Sequence, residues 1–184
     1  MAAIRTEVAA KGLFTAEAVA KRARTSPATF YNHFSSKELA LASAFAAAMD
    51  DLSELVNQGL QVERLLQLGL EGFCADWSKV CAGFFRANAM LLAVAQAEAP
   101  RAPELRGIFA KRQHESLARY TQFVELGQRA QMVRQGDADA MAKLLLMTNQ
   151  CWNHPFLREL EPSDALYQEM TQLMLKLLAP TQQP

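Results

Sequence analysis

The chain has 184 residues with 19 basic and 19 acidic side chains, so its formal net charge is zero. Hydrophobic residues make up 51%, aromatic residues only 8%, and glycine and proline are scarce, a composition that favours an all-helical protein. No apolar run approaches the roughly 18 residues that a membrane span requires, and the N-terminus has no signal-peptide core, so we expect a soluble, cytoplasmic protein with no membrane partner.

The zero net charge hides an uneven distribution of charge. Residues 1–40 carry six lysines and arginines against three glutamates, a net charge of +3, and the remaining residues carry −3. A mildly basic segment on a mildly acidic body suits a small contact with nucleic acid. Such a segment is also common by chance, so the charge alone decides nothing.

Hydrophobic spacing predicts about nine helices, three of them in an N-terminal head. Prolines and glycines mark breaks between them, and serine, threonine and aspartate mark helix starts. Gly83 is predicted to separate two helices, and Pro155 is predicted to kink or stop the helix that Asp137 caps. The predicted helices span about residues 2–12, 16–23, 27–33, 36–57, 62–81, 84–98, 104–131, 138–153 and 163–178.

Two short helices in the head are separated by a tight link. Thr15 is predicted to cap the first of them, and Ser26 followed by Pro27 is predicted to start the second. Ser35 or Ser36 then caps the long helix that follows. Two short helices joined in this way predict a helix-turn-helix that reads DNA.

The stretch T-F-Y-N-H-F-S-S-K-E, preceded by V-A-x-x-A-x-x-S, resembles the DNA-binding signature of TetR-type transcriptional regulators. The positions in register are Thr29, Tyr31, His33, Phe34, Ser36, Lys37 and Glu38. The chain departs from the signature at Arg24, Thr25 and Ala28, where the family has glycine, valine and glycine. Arg24 then either adopts a positive φ, which costs a non-glycine residue roughly 1 kcal/mol, or the turn is built differently. The first helix is also shorter than the family's, so either the start of the natural protein is missing or the helix is abbreviated.

The resemblance implies an all-α fold with a helix-turn-helix head over residues 1–40 and an effector-binding and dimerisation body over residues 41–184. It implies phosphate contacts from Thr29, Tyr31 and Lys37, with His33 as a further candidate. The positions that would meet base edges are Pro27, Ala28 and Asn32. The full predicted DNA-binding set is Ser26, Pro27, Ala28, Thr29, Tyr31, Asn32, His33 and Lys37. For the tyrosine and the histidine, the alternative is that they only pack or cap the head.

Bulky apolar residues in the body suggest an effector pocket between helices. The candidate lining residues are Phe73, Trp77, Phe84, Met90, His114, Tyr120, Phe123 and Trp152. Each of them also suits an ordinary helical core, and the histidine also suits a surface position.

Catalytic chemistry has little support in the sequence. No nucleophile–base spacing, glycine-rich phosphate loop or metal-ligand cluster stands out, so we expect no enzyme activity, no metal and no cofactor. Cys74, Cys81 and Cys151 form no CxxC pair, which suggests a reducing compartment. The first two lie seven residues apart and suit buried positions, with a redox sensor or a metal-ligand pair as the alternative.

The resemblance implies a ligand-responsive regulator, usually a repressor, that binds a palindromic operator on double-stranded DNA. It implies a homodimer formed through about residues 138–179 and release from DNA by a small-molecule inducer of unknown identity. One head reads few base pairs, so a second head at fixed spacing is needed for affinity. The alternative is an all-helical small-molecule-binding or enzymatic domain with a non-functional head, which the short first helix supports.

Overall fold

The computed structural model describes residues 1–158 and 163–180, which form ten α-helices and one 3-10 turn with no strand. The helices are α1 (Ala2–Lys11), α2 (Ala16–Arg22), α3 (Pro27–His33), α4 (Lys37–Gly59), α5 (Val62–Ala87), α6 (Ala89–Glu98), α7 (Pro103–Arg129), α8 (Ala138–Gln150), α9 (Pro155–Arg158) and α10 (Asp164–Leu178). The 3-10 turn, Cys151–Asn153, lies between α8 and α9. The all-helical fold class is confirmed.

The predicted helix break at Gly83 was wrong. Helix α5 continues through Gly83 to Ala87, and the break lies at Asn88. A glycine inside a helix costs only about 1 kcal/mol relative to alanine, so the surrounding helix tolerates it. The departure from helical geometry in α5 occurs instead at Gly69, with φ 68° and ψ 167°. Essentially only glycine adopts that backbone region.

The predicted helix over residues 138–153 divides into two parts, and a further short helix follows it. Helix α8 ends at Gln150, the 3-10 turn follows, and Pro155 begins the short helix α9. Proline is tolerated at a first helical position because the backbone N–H there has no partner within the helix. Pro155 therefore begins a helix as well as ending the preceding helical segment. This additional helix, α9, is the one that the nine predicted helices did not include.

Five helix starts carry a side-chain cap that accepts a hydrogen bond from the backbone N–H three residues on. The caps and N–H to oxygen distances are Thr15 (3.1 Å), Ser26 (3.1 Å), Ser36 (3.2 Å), Asp137 (2.9 Å) and Ser163 (3.2 Å). Each cap of this kind contributes about 1 kcal/mol. The predicted caps at Thr15, Ser26 and Asp137 are confirmed, and Ser36 rather than Ser35 caps α4.

The described residues form two compact units, and unit 1 comprises Met1–Leu52 and Asn88–Arg112. Within it α1 packs against α2 and α6, and α2 packs against α3. Ile4 and Val8 of α1 are 1% and 0% exposed, so the short first helix closes the core of the unit. The sequence predicts a boundary near residue 40 between the DNA-binding head and the effector-binding body. The two compact units do not follow that division, so the functional boundary stays a prediction.

Unit 2 comprises Ser53–Ala87 and the chain from Gln113 onward. Within it α10 packs against α5 and α8, and the 3-10 turn packs against α5. Phe73 and Phe123 stack at 4.9 Å between ring centroids. Trp77 lies against Gly59, where a Cβ would come within 2.1 Å of the indole ring. This core depends on one close approach between a backbone and a large ring.

No single helix within residues 1–158 and 163–180 is long and apolar enough to cross a membrane. Helices α5 and α6 meet the length and composition requirement only when they are taken together as a bent pair.

Candidate nucleic-acid interface

The turn between α2 and α3 is built around an arginine in the left-handed region. Arg24 has φ 55°. Its backbone N–H donates to the Lys21 carbonyl at 3.2 Å, and the Thr25 N–H donates to the Ala20 carbonyl at 2.9 Å. These two bonds form a Schellman motif, whose left-handed position glycine usually occupies. The positive φ predicted for Arg24 is confirmed, and the alternative of a differently built turn is excluded.

One face of α3 is open. Pro27, Ala28, Asn32 and His33 are exposed, and Tyr31 is 50% exposed. The buried side chain of the helix is Phe30, which meets the Tyr31 ring edge-on at 5.2 Å between centroids. The tyrosine ring is thus held against the core while its hydroxyl end remains available. All residues predicted to meet base edges lie on this open helix.

Ser26 and Thr29 form one local hydrogen-bonding group at the start of α3. The Ser26 hydroxyl accepts from the Thr29 backbone N–H, and the two hydroxyls lie 3.0 Å apart. Thr29 is half-buried, and its hydroxyl already has the Ser26 hydroxyl as a hydrogen-bond partner. A phosphate contact there would have to share that hydroxyl with Ser26.

The start of α4 presents a cation beside a protein carboxylate. Lys37 is exposed. The pKa of Glu38 lies below its usual value because its carboxylate accepts from its own backbone N–H and from the Ser36 hydroxyl. The Leu39 N–H is also engaged, by the Ser36 cap. The helix-end N–H groups are largely occupied, and the exposed Lys37 ammonium, which interacts with the Glu17 and Glu38 carboxylates, is the cation at this helix start.

Ion pairs sort the six basic side chains of the head into two sets. Arg22 and Lys11 both pair with Glu7, at 2.6 Å and 3.3 Å, and Arg5 pairs with Asp51 at 2.7 Å. The remaining cations are exposed and, among the described residues, have no ion pair: Lys21, Arg24 and Lys37. These three sit at the end of α2, in the turn and at the start of α4. The sequence prediction omitted Lys21 and Arg24, because a formal charge count cannot show which cations are already neutralised.

Residues 2–43 match the family model described as bacterial regulatory proteins, tetR family. The N-terminal head therefore resembles the DNA-binding segment of TetR-family regulators. The predicted recognition is confirmed, and the helix-turn-helix described above lies wholly inside the matched segment.

Solved structures share the fold of this chain along nearly its whole length. A TetR-family regulator from Mesorhizobium loti is 18% identical with a TM-score of 0.77, covering 97% of this chain and 94% of its own. PfmR, a TetR-family regulator from Thermus thermophilus, is 16% identical with a TM-score of 0.70, covering 95% and 93%. FrrA, described as a flavonoid-responsive regulator, is 22% identical with a TM-score of 0.64, covering 97% and 94%. No curated protein sequence matches the chain.

Glu7 links the first two helices of the helix-turn-helix head. Its side chain is 5% exposed, and its carboxylate accepts from Arg22 Nε of α2 and lies beside Lys11 of α1. The hydrogen bond from Arg22 is the main cause that lowers the pKa of Glu7, and the bond from Lys11 adds to it. The carboxylate is therefore charged in the fold and fixes α1 against α2.

Replacing Glu7 with glutamine is expected to lower the free energy of unfolding at neutral pH. Because the folded-state pKa of Glu7 is depressed, its stabilisation is present above the unfolded pKa of about 4.3 and is lost as the pH falls through the folded value. Urea unfolding from about pH 7 to about pH 3 should show a higher free energy of unfolding for the wild type than for the variant. This difference should be constant above about pH 5 and shrink below it. The exposed Glu63→Gln variant is the control. An advantage that persists unchanged at the lowest pH would contradict the assigned pair.

The predicted effector residues are distributed over both units. Five of them are at most 3% exposed in unit 2, and these are Phe73, Trp77, Tyr120, Phe123 and Trp152. Phe84 is 8% exposed. Met90 belongs to unit 1 and is 43% exposed. His114 is exposed and lines a surface depression of about 380 Å³ on α7 with Thr121 and Glu125. The structure pairs Phe73 with Phe123 and Trp77 with Tyr120, and it places Trp152 against Tyr167. His114 lies at the surface.

The sequence prediction missed a buried amide beside these aromatic residues. Asn149 of α8 is 2% exposed and donates from Nδ2 to the Tyr120 hydroxyl at 3.2 Å. Its neighbours Leu145 and Leu146 are buried on the same helix face. The spacing of four from Leu145 was the available signal, but an asparagine at that spacing is usually solvent-facing.

Two of the three cysteines, Cys74 and Cys81, lie on helix α5 and are buried. Cys74 and Cys81 are buried, and burial raises the pKa of the Cys74 thiol to about 12 and the pKa of Cys81 further still. Redox sensing and metal binding both require a thiolate, so the structural interpretation is favoured over a sensor. Cys151 is exposed. Among the described residues, no three His, Cys, Asp or Glu side chains come together as a metal-ligand set.

Proposed function

We propose that this protein is a TetR-type repressor that binds a palindromic operator as a homodimer and is released by a small-molecule inducer. The observation that carries the proposal is the open face of α3 flanked by exposed cations, with Lys37 at its far end. Short side chains on that face approach base edges, while Lys21, Arg24 and Lys37 are exposed and can meet phosphates on either side.

The proposed roles follow from what each exposed group offers. Asn32 can form a bidentate pair with adenine, and Pro27 or Ala28 can contact a thymine methyl group. The Tyr31 hydroxyl and the Lys37 ammonium bind phosphate oxygens and fix the register of α3. His33 and the Ser26–Thr29 group are secondary phosphate contacts.

Two helices of unit 2 present an apolar surface that suits dimerisation. On α8, Leu144 and Met147 are 52% and 62% exposed, and on α10 Leu173 is 51% exposed. Leu166, Met170 and Leu177 continue the α10 stripe as half-buried residues. Helices α8 and α10 pack against each other, and these six residues are defined here as the α8–α10 face. Residues 159–162 of the proposed dimer segment lie outside the described residues.

A contiguous exposed apolar patch commonly marks a protein interface. A second copy of the chain is the occupant we propose, because two heads at a fixed separation are needed to read a palindrome. An inducer bound in unit 2 would change the separation of the two heads and so couple two distant sites. FrrA is described as flavonoid-responsive, and we extend a response to a small molecule to this chain.

The alternative, a binding or enzymatic domain with a non-functional head, rested on the short first helix. Ile4 and Val8 are buried and Glu7 is paired with Arg22, so α1 packs against the other helices of unit 1. The regulator is therefore the function that the structure supports best.

Replacing Leu173 with glutamate is expected to shift the protein from dimer to monomer. A charge on the α8–α10 face would have to be desolvated in the interface, which should weaken self-association by about a hundredfold or more. Sedimentation equilibrium measures the effect, and Met147→Glu should reproduce it. Leu66→Glu is the matched control, since Leu66 is 59% exposed outside that face. A wild-type monomer at micromolar concentration, or an unaffected Leu173→Glu dimer, would rule out this interface.

Selection of bound duplexes from a random pool tests the operator itself. We expect enrichment of an inverted repeat whose half-sites lie about one helical turn apart or a multiple of it. The Leu173→Glu variant should enrich no inverted repeat. Recovery of unrelated sequences with no common half-site would overturn the proposed function.

A further inference from the structure

We propose that unit 1 binds a small organic cation, in which an ammonium group is joined to a compact apolar body, at a cleft beside the start of α4. The cleft, called here the α4–α6 cleft, lies between Leu13 and Phe14 of the α1–α2 link, Leu41 of α4, Val94 of α6 and Leu105 of α7. The binding itself does not depend on the function proposed above, whereas its effect on DNA does.

The α4–α6 cleft offers apolar surface in a small volume. It measures about 200 Å³, and every residue that lines it belongs to unit 1. Leu41 and Leu105 are 6% and 0% exposed, whereas Leu13 is 64% exposed. A molecule in the cleft would remove part of this leucine surface from water, which is favourable roughly in proportion to the area. Since pockets for drug-sized molecules usually measure about 300–1,000 Å³, the cleft suits a smaller one.

Three charged side chains also line the cleft, and negative charge is in excess. They are Lys37 and Glu38 of α4 and Glu98 of α6, so two carboxylates face one ammonium. Lys37 already interacts with Glu38 and with Glu17, which does not line the cleft. Glu98 is exposed and makes no ion pair within the described residues. The lysine therefore cannot neutralise both carboxylates of the cleft.

Neighbouring arginines do not supply the missing positive charge. Arg106 of α7 donates from Nη1 to the carbonyls of Ala99 and Pro100, at 3.1 Å and 2.9 Å, and does not line the cleft. Arg101 is exposed and does not line it either. An anionic molecule would meet two like charges, whereas an ammonium would be attracted by both.

The Glu38 carboxylate is held in place and ionised. It accepts from its own backbone N–H and from the Ser36 hydroxyl, which lowers its pKa. Both Glu38 and Glu98 are exposed to solvent, so each attraction to a bound ammonium is screened. Apolar contact must supply much of the affinity, and we expect millimolar binding of a small amine.

The probe is 2-phenylethylamine, and two matched compounds test its two parts on the full chain. In 2-phenylethanol a hydroxyl replaces the ammonium, and ethylamine lacks the phenyl ring. Backbone-amide chemical shifts, followed by NMR during titration, measure the affinities. We expect a dissociation constant of about 1 mM for 2-phenylethylamine, about fivefold weaker binding of 2-phenylethanol and at least about tenfold weaker binding of ethylamine.

Each comparison has an outcome that would overturn the proposal. Affinity for 2-phenylethanol equal to or tighter than that for 2-phenylethylamine would contradict the charge preference. Ethylamine binding as tightly as 2-phenylethylamine would contradict an apolar site. No binding of 2-phenylethylamine up to about 10 mM would exclude the site altogether.

The same titration locates the probe. The largest shift changes are expected at the backbone amides of Leu13, Leu41 and Val94, which come from three different elements of unit 1. This readout requires no substitution and so does not depend on a variant that folds. Largest changes within unit 2 would place the amine elsewhere and overturn the proposal.

Glu98→Gln tests the charge on the protein side. It removes one carboxylate and keeps the size of the side chain, so 2-phenylethylamine should bind about threefold more weakly and 2-phenylethanol as before. Glu71→Gln, an exposed position on α5 of unit 2, is the matched control and should change neither affinity. Equal affinity of the amine for Glu98→Gln and the wild type would show that Glu98 does not attract the ligand.

A DNA measurement separates this inference from the proposed function. A bound ammonium would compete with Lys37 for the Glu38 carboxylate, so we expect 2-phenylethylamine to tighten operator binding about twofold or more. Fluorescence anisotropy at constant ionic strength measures the effect, with ethylamine as the control compound. Tightening that is lost in Glu98→Gln would support both proposals. Amine binding at the cleft with unchanged operator affinity would support the site and overturn its coupling to DNA. A protein that binds no DNA would overturn the proposed function and leave the titration result standing.

Discussion

Replacing Lys37 with alanine is expected to weaken operator binding by about tenfold to a hundredfold at moderate salt. Lys37 is an exposed cation without an ion pair in the described chain, and the helix end beside it has little remaining capacity for a phosphate. The substitution therefore removes a phosphate contact that the neighbouring helix N–H groups cannot replace. A dimer presents two copies of the residue, so the slope of log affinity against log salt should become shallower by about 2.

Lys79→Ala is the matched control for Lys37→Ala, because Lys79 is an exposed lysine on α5 of unit 2. It changes net charge equally and should leave both affinity and salt slope unchanged. Fluorescence anisotropy of a labelled operator duplex, titrated at several salt concentrations, measures both quantities. If the two variants behave alike, Lys37 makes no phosphate contact.

Replacing Gly59 with alanine is expected to lower the free energy of unfolding by about 1–3 kcal/mol. Alanine normally favours a helix over glycine, so propensity alone predicts the opposite sign. Here the new Cβ would lie 2.1 Å from Trp77 Cζ3 and 2.7 Å from Cε3. The indole ring is 1% exposed, so it has no free space into which to move. Overpacking against a rigid ring therefore outweighs the gain in propensity.

Gly83→Ala is the control for Gly59→Ala, since a Cβ at Gly83 would meet nothing within 4 Å inside α5. It should raise the free energy of unfolding by about 0.5–1 kcal/mol. Urea unfolding of both variants gives the two signs directly. Stabilisation by Gly59→Ala would show that the indole ring is not held where the structure places it.

Local chemistry explains the parts of the fold that the sequence predicts well. Caps such as Thr15, Ser26 and Asp137 act within four residues of themselves, so their sequence context determines them. The positive φ at Arg24 was also predictable from its register with a family glycine. These features require no knowledge of the tertiary structure.

Tertiary contacts decided the predictions that were wrong or incomplete. Gly83 resembles a helix end in the sequence, yet α5 continues through it. Nothing in the sequence around Gly69 indicated its non-helical backbone. Asn149 and Glu7 belong to residue types that usually face solvent, yet both are buried against partners distant in sequence. Their partners, Tyr120 and Arg22, could not be inferred from spacing alone.

The DNA-binding set and the effector set differ in how far apart their residues lie along the chain. The DNA-binding set lies within twelve consecutive positions, residues 26–37, so local spacing suffices to group it. The effector set draws on segments from Phe73 to Trp152, and hydrophobicity could not separate the buried aromatic residues from exposed Met90 and His114. A distant set of this kind requires the fold before it can be defined.

The most direct measurement is the affinity of the wild-type protein for its selected operator and for a shuffled duplex of equal length, as salt rises from about 50 to about 200 mM. Two Lys37 contacts per dimer set a minimum slope of about −2, so operator binding should weaken at least about tenfold over that range. The shuffled duplex should bind about a thousandfold more weakly than the operator at the higher salt. Equal affinity for the two duplexes, or an affinity that salt does not change, would contradict a DNA-reading function.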